Sequence, residues 1–222
     1  VAADIINEAI EVSGVKKLDS SVIEFIFRDI RYKAVRNNGN FMLARVMVQD
    51  GDSIFDLLSN NGFERIVTDS SVKVPDSMAT KYSSSVNSVH YFAVLPYGLD
   101  GKAVNETYLE EVDIKGKTYH KIKVTFNKEG GGEDFEDVFI YWVNTNTKKV
   151  DYLAYSYKED DGIGLRFREA YNERFISSIR FVDYNNYKPK EANVKLQDLD
   201  QLFVENKLEL LSKIELEDVR VN

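Results

Sequence analysis

The chain has 222 residues, with 29 Lys+Arg against 37 Asp+Glu, a formal net charge of -8, 43% hydrophobic residues and 30% charged residues. This balance fits a globular chain with one substantial core and excludes a wholly disordered one. The acidic excess argues against nucleic acid and against an anionic membrane surface, both of which require clustered Lys and Arg. With Cys 0, disulfides, thiolate metal sites and Cys nucleophiles are absent.

Residues 1–13 place Ala2, Ile5, Ile6, Ala9 and Ile10 at helical spacing, and Gly14 supplies a stop. From residue 19 the period changes to two. Residues 20–32, rich in Val, Ile and Phe, read as a strand, Asn37-Asn38-Gly39 as a turn, and residues 41–49 as the returning strand. Residues 54–58 and 63–67 form a further pair around Asn60-Asn61-Gly62. A helix follows Pro75 over 77–93, with Asp76 or Ser77 as cap and Met78, Tyr82, Val86, Val89 and Ala93 on one stripe, and it stops before Pro96.

The rest is mostly strand. Residues 108–114 turn at Lys115-Gly116, and in 119–127 His120, Ile122, Val124 and Phe126 oppose Tyr119, Lys121, Lys123 and Thr125. Residues 135–144, 150–157, 165–171 and 174–184 are further strands, with turns at 145–148 and Asp160-Asp161-Gly162. A short helix near 199–204 precedes a last strand in which Leu208, Leu210, Ile214 and Leu216 recur. Short turns imply antiparallel pairing, and strands apolar on both faces, such as Val138-Phe139-Ile140-Tyr141-Trp142-Val143, imply that both faces are covered. The expected fold class is α+β, mainly β: a strongly curved antiparallel sheet forming an open half-barrel around two or three helices. A single domain over 1–222 is expected, with the helix at 77–93 set as a plug over the concave face.

Four segments carry a resemblance: Asn87-Ser88-Val89-His90-Tyr91-Phe92 with Leu95-Pro96-Tyr97; Val124-Thr125-Phe126 through Gly130-Gly131-Gly132 to Tyr141-Trp142; Asp151-Tyr152-Leu153-Ala154-Tyr155; and Arg166-Phe167-Arg168 with Ala170-Tyr171-Asn172. Across most of 20–187 the chain resembles a domain-of-unknown-function family of exported lipoproteins from Gram-negative bacteria. Its layout is similar to the half-barrel lipoprotein carriers of the LolA/LolB type, which hold acyl chains in a concavity. The resemblance implies an exported, membrane-tethered protein of the periplasm or outer membrane, an apolar or amphipathic ligand, and an envelope protein as a further partner. It implies no catalytic residues and no cofactor. The start Val1-Ala2-Ala3-Asp4 lacks Met, as expected either of a chain whose presequence has been removed or of one trimmed at that end, with any lipid anchor outside this chain.

His90 and His120 are the only histidines, so a His-based site must use one or both of them, with a carboxylate such as Asp134 or Asp151 as partner. A buried, singly hydrogen-bonded histidine is the plainer reading. Glu133, Asp134, Glu136 and Asp137 crowd a Gly-rich turn and are the candidates for a metal, although their spacing is not that of an EF-hand, and a solvated hairpin tip explains them as well. The ligand contacts expected are Arg166, Arg168, Tyr171, Tyr155 and Trp142: two guanidiniums on one strand face suit a carboxylate or phosphate, and the rings suit a flat or apolar group. A hydrolase acting on a sugar or ester through paired carboxylates, and a carbohydrate-binding module built on the aromatics of 141–157, are the alternative readings.

Overall fold

A computed structural model describes residues 1–132, 134–159 and 162–222. The chain divides into two compact units: Val1–Ser13, Gly98–Glu173 and Val182–Ile214 form the first, and Gly14–Tyr97, Arg174–Phe181 and Glu215–Asn222 the second. The architecture is mainly β, with every described strand pairing antiparallel and each sheet left open. The expected open layout is thus present, realised as two seven-stranded sheets.

In the second unit the sheet runs in the order β14-β1-β2-β3-β4-β5-β6, where β1 is Ser20–Phe27, β2 Ile30–Asn37, β3 Asn40–Gln49, β4 Asp52–Ser59, β5 Gly62–Val67, β6 Ser70–Val72 and β14 Glu217–Val221. The expected single strand over 20–32 is instead a hairpin, because Arg28 and Asp29 both take positive φ, at 50° and 62°. Apolar residues continue on either side of this two-residue turn and mask it in the sequence. Helix α2, Asp76–Ala93, packs on β3, β4 and β5. Pro75 precedes its first turn, and its carbonyl accepts from the N–H groups of Met78 and Ala79 at 2.9 Å, so neither Asp76 nor Ser77 is the cap. The buried stripe is Ser83, Val86 and His90, rotated from the one expected, and Met78 is exposed. Val86 fills the core made by Ala34, Leu43 and Leu58. Gly14, at φ 68°, lies against Ser178, where any Cβ would collide with the Ser178 carbonyl.

In the first unit the sheet order is β13-β12-β11-β10-β9-β8-β7. Here β7 is Val104–Ile114, β8 Lys117–Phe126, β9 Val138–Asn144, β10 Val150–Glu159, β11 Gly162–Ile176, β12 Ile179–Pro189 and β13 Leu208–Ile214. The expected break near 172 is absent: β11 continues through it, and the chain turns at Ser177 and Ser178, both at positive φ. The expected last strand splits at Glu215 and Leu216, sending β13 and β14 to different sheets. Helix α1, Ala2–Val12, buries Ile5, Ile6, Ala9 and Ile10 and packs on β7 and β9. A 3₁₀ turn, Leu196–Asp198, leads into α3, Leu199–Val204. Leu199 and Phe203 of α3 join Tyr119, Trp142, Tyr152 and Phe167 in one core. Phe203 meets Phe167 at a ring separation of 4.8 Å, and Trp142 meets Phe167 at 5.4 Å in an edge-to-face arrangement. No helix among the described residues is long and apolar enough to cross a membrane.

Candidate functional site

Register decides which side chains share a face, because neighbours along a strand point to opposite sides. In the first unit Phe139 on β9 faces Tyr155 on β10, which faces Arg166 on β11. The next row is Tyr141, Leu153 and Arg168. These rows lie on one face. The Phe139 ring stacks on Tyr141 at 6.0 Å and on Tyr155 at 5.5 Å. Arg168 donates from Nη2 to the Tyr155 hydroxyl at 2.9 Å, and its guanidinium lies 5.1 Å from that ring and 5.9 Å from Tyr184. Arg166 lies 5.2 Å from the Tyr157 ring and donates to the Leu165 carbonyl at 2.8 Å. Phe139, Tyr141, Leu153 and Arg168 are buried, whereas Tyr155, Tyr157 and Arg166 are half-buried, so the accessible edge of this face is formed by two tyrosines and one guanidinium.

The structure therefore brings together Arg166, Arg168 and Tyr155 of the five expected ligand contacts. Trp142 stands in the row with Tyr152 and Glu169, on the opposite face and inside the core beneath α3. Tyr171, two residues beyond Glu169 on that strand, has the Lys213 ammonium 5.8 Å from its ring.

The same opposite face holds a cluster that the periodicity did not suggest. Lys121, 4% exposed, donates from Nζ to the Gln197 carbonyl at 2.7 Å and to Asp200 Oδ2 at 3.1 Å. The Trp142 indole N–H donates to the same Asp200 oxygen at 3.2 Å. The alternation of β8 assigns Lys121 to a solvated side, but the turn leading into α3 covers that side, and the buried ammonium is retained because Asp200 and a carbonyl satisfy it. Asp200, wedged between Leu199 and Phe203, was the available signal. The cluster forms the base of a cleft of about 610 Å³ whose walls include Tyr108, Glu110, Asp198 and Val204.

The histidines lie apart from this face in character. His90, 1% exposed, sits in the second unit with its Nε2 2.9 Å from the Ala44 carbonyl and its ring edge-on to Phe25 and Tyr32. Burial pushes its pKa down to about 4, so the imidazole is neutral and its N–H donates. His120, across the strand pair from Glu111, has Nδ1 3.3 Å from Glu111 Oε1 without hydrogen-bond alignment. Asp151 accepts from the Tyr119 hydroxyl at 3.2 Å. Burial is the chief cause that pushes the Tyr119 phenol up to about 12.

In the Gly-rich turn, Glu136 pairs with Lys158 at 2.6 Å, and Asp134 accepts the Asp137 N–H through its backbone carbonyl. Asp137 is pushed up to about 7 by burial, with the charges of Asp134 and Glu136 adding to it. Glu133, the fourth metal candidate, lies outside the described residues, as do Asp160 and Asp161 of the following turn. Among the described residues no group of three His, Asp or Glu side chains could hold a metal ion.

Comparison with solved structures gives a LolA superfamily protein from Nitrosomonas europaea, at a TM-score of 0.54 and 12% identity over 99% of this chain and 92% of that one. A DUF1329 family protein from Desulfovibrio piger follows at a TM-score of 0.45 and 10% identity, over 99% of this chain and 92% of that one. The first match shows a shared fold along nearly the whole length of both chains, so the LolA-like layout expected from the sequence is present. No curated protein matches the sequence. The model of the family of unknown function DUF6503 matches residues 2–216, and the chain belongs to that family.

Proposed function

We propose that this protein is an exported envelope protein that holds an apolar or amphipathic ligand, an acyl chain or a lipid, on the aromatic face of β9, β10 and β11. The observation that carries the reading is the row Phe139–Tyr155–Arg166 with Tyr141 and Arg168 beside it. Stacked rings offer van der Waals contact without hydrogen-bond demands, and the half-buried Arg166 guanidinium, with Arg168 buried beside it, suits the carboxylate or phosphate end of such a molecule. The LolA-like fold supports the reading, since carriers of that type hold acyl chains in their concavity. Tethering would come from a lipid anchor outside this chain, and location in the periplasm or at the outer membrane follows from the same reading. The role is one of holding and presenting, with no chemical step assigned to the histidines or to the carboxylates of the Gly-rich turn.

Organic extraction and mass spectrometry of the protein purified from its own host test this reading. One lipid class at near-stoichiometric amount is expected, and its amount falls when Arg166 and Arg168 are both changed to Met. Bare protein, from which neither extraction nor incubation with a fluorescent fatty acid recovers a complex, would overturn it.

A further inference from the structure

On the sheet face that α2 covers, the second unit carries Arg36 and Arg45, both buried, and Arg65, half-buried, and the three are not equivalent. Arg45 and Arg65 share Asp56, at 2.8 Å and 2.6 Å. Arg36, on β2 between Ser21 of β1 and Phe41 of β3, is 9% exposed. Its Nη1 is buried without a hydrogen-bond partner, and among the described residues it makes no ion pair.

The neighbouring polar groups already have partners. The Tyr97 ring lies 5.1 Å from the guanidinium, and the Tyr97 hydroxyl donates to Asp19 at 3.0 Å. Ser21 donates to the Leu18 carbonyl at 3.1 Å. His90, whose charged form is disfavoured by burial and then by Arg36 itself, bonds to Ala44. An arginine remains charged at any ordinary pH, so this cation cannot neutralise itself as a buried lysine would. A buried cation with no counter-ion is costly and is retained where something else supplies the anion.

We propose that Arg36 is an anchor for an oxyanion, the phosphate or carboxylate group of a ligand that enters the second unit beside Tyr97. The planar guanidinium fork matches two oxygens of such a group, and the Tyr97 ring lies over one side of it, 5.1 Å away. A free anion fits this site alone. An anion on an apolar chain would make Arg36 a second headgroup contact, and only that extension rests on the ligand-holding reading above.

Thermal unfolding and titration of wild type and R36M test the proposal, with sodium phosphate against sodium chloride at matched ionic strength, then dodecyl phosphate against dodecanol. Phosphate is expected to raise the Tm of wild type above the chloride value, with affinity at least ~10-fold weaker in R36M. In chloride R36M should melt at or above wild type, because a lone buried charge is gone. Should R36M fail to fold, the arginine Nε–Hε resonances of 15N-labelled wild type keep the test open: phosphate, and not chloride, should shift one buried arginine signal. A wild type that responds alike to both salts, with no such shift, overturns the proposal, as does an R36M that melts far below wild type and retains the phosphate response. Dodecyl phosphate binding no tighter than inorganic phosphate would leave the anion site standing while removing its lipid extension.

Discussion

Arg45 donates from Nε to Asp56 Oδ2 at 2.8 Å on the covered face of the second unit's sheet, and Asp56 has no exposed surface at all. Arg65 grips the other oxygen at 2.6 Å, and Arg45 Nη1 reaches the Ser85 hydroxyl of α2 at 2.7 Å. One carboxylate thus pairs with two guanidiniums, and Arg45 ties a Ser-rich helix to the sheet. The change D56A should cost about 3–5 kcal/mol, the range for stranding a buried charge. The triple change D56L/R45M/R65M should lose less than D56A alone. Urea unfolding followed by circular dichroism checks the order.

His90 gives the second unit an acid sensitivity. Its pKa falls from 6.5 to about 4 on folding, so the neutral form is favoured in the folded chain. Its contribution is complete above pH 6.5 and is lost as pH falls toward 4. The difference corresponds to roughly 3 kcal/mol. The change H90F keeps an aromatic ring against Phe25 and Tyr32 and should flatten the fall in Tm between pH 6.5 and 4, as read by differential scanning calorimetry.

Asp137 acts in the opposite sense. Its carboxyl rises from 3.8 to about 7, first through burial, so the protonated form is favoured in the folded state. The contribution is full below pH 3.8 and is lost as pH rises through 7. The change D137N should therefore stabilise the protein at pH 8 by about 1–2 kcal/mol, a figure reduced for the group's partial exposure, and by little at pH 5. Paired melts of the two proteins at those two pH values test it.

The buried Lys121–Asp200 pair holds the turn before α3 onto the sheet, and Trp142, the only tryptophan, bonds to the same carboxylate. The change D200N should cost about 3–5 kcal/mol. The pair K121M/D200L should cost less than D200N. Trp142 emission should shift to longer wavelength in D200N, whose α3 is loosened, and stay near the wild-type position in the double variant.

The sequence carried the fold further than the site. The helical spacing of Ile5, Ile6, Ala9 and Ile10 locates α1, and the run Val138 to Val143, apolar on both sides, locates a strand covered on both faces. Arg28-Asp29 escaped notice because a left-handed two-residue turn needs no Gly, and neither residue interrupts the apolar density around it. Grouping Trp142 with Tyr155 failed for a reason visible in the chain itself: the facing pairs Trp142–Tyr152 and Phe139–Tyr155 alternate, so the two side chains occupy opposite faces. Lys121 and Arg36 could not be found by alternation, since their partners, or the lack of them, depend on elements distant in sequence.

Photolabelling with a fatty acid that bears a diazirine on its chain reads the ligand face without assuming which lipid is bound in the host. After irradiation and digestion, adducts should concentrate in the peptides of β9, β10 and β11 that carry Phe139, Tyr155 and Arg166, and unlabelled fatty acid should compete them away. Labelling spread evenly over the chain, or confined to the opposite face around Trp142 and Phe203, would contradict the assignment.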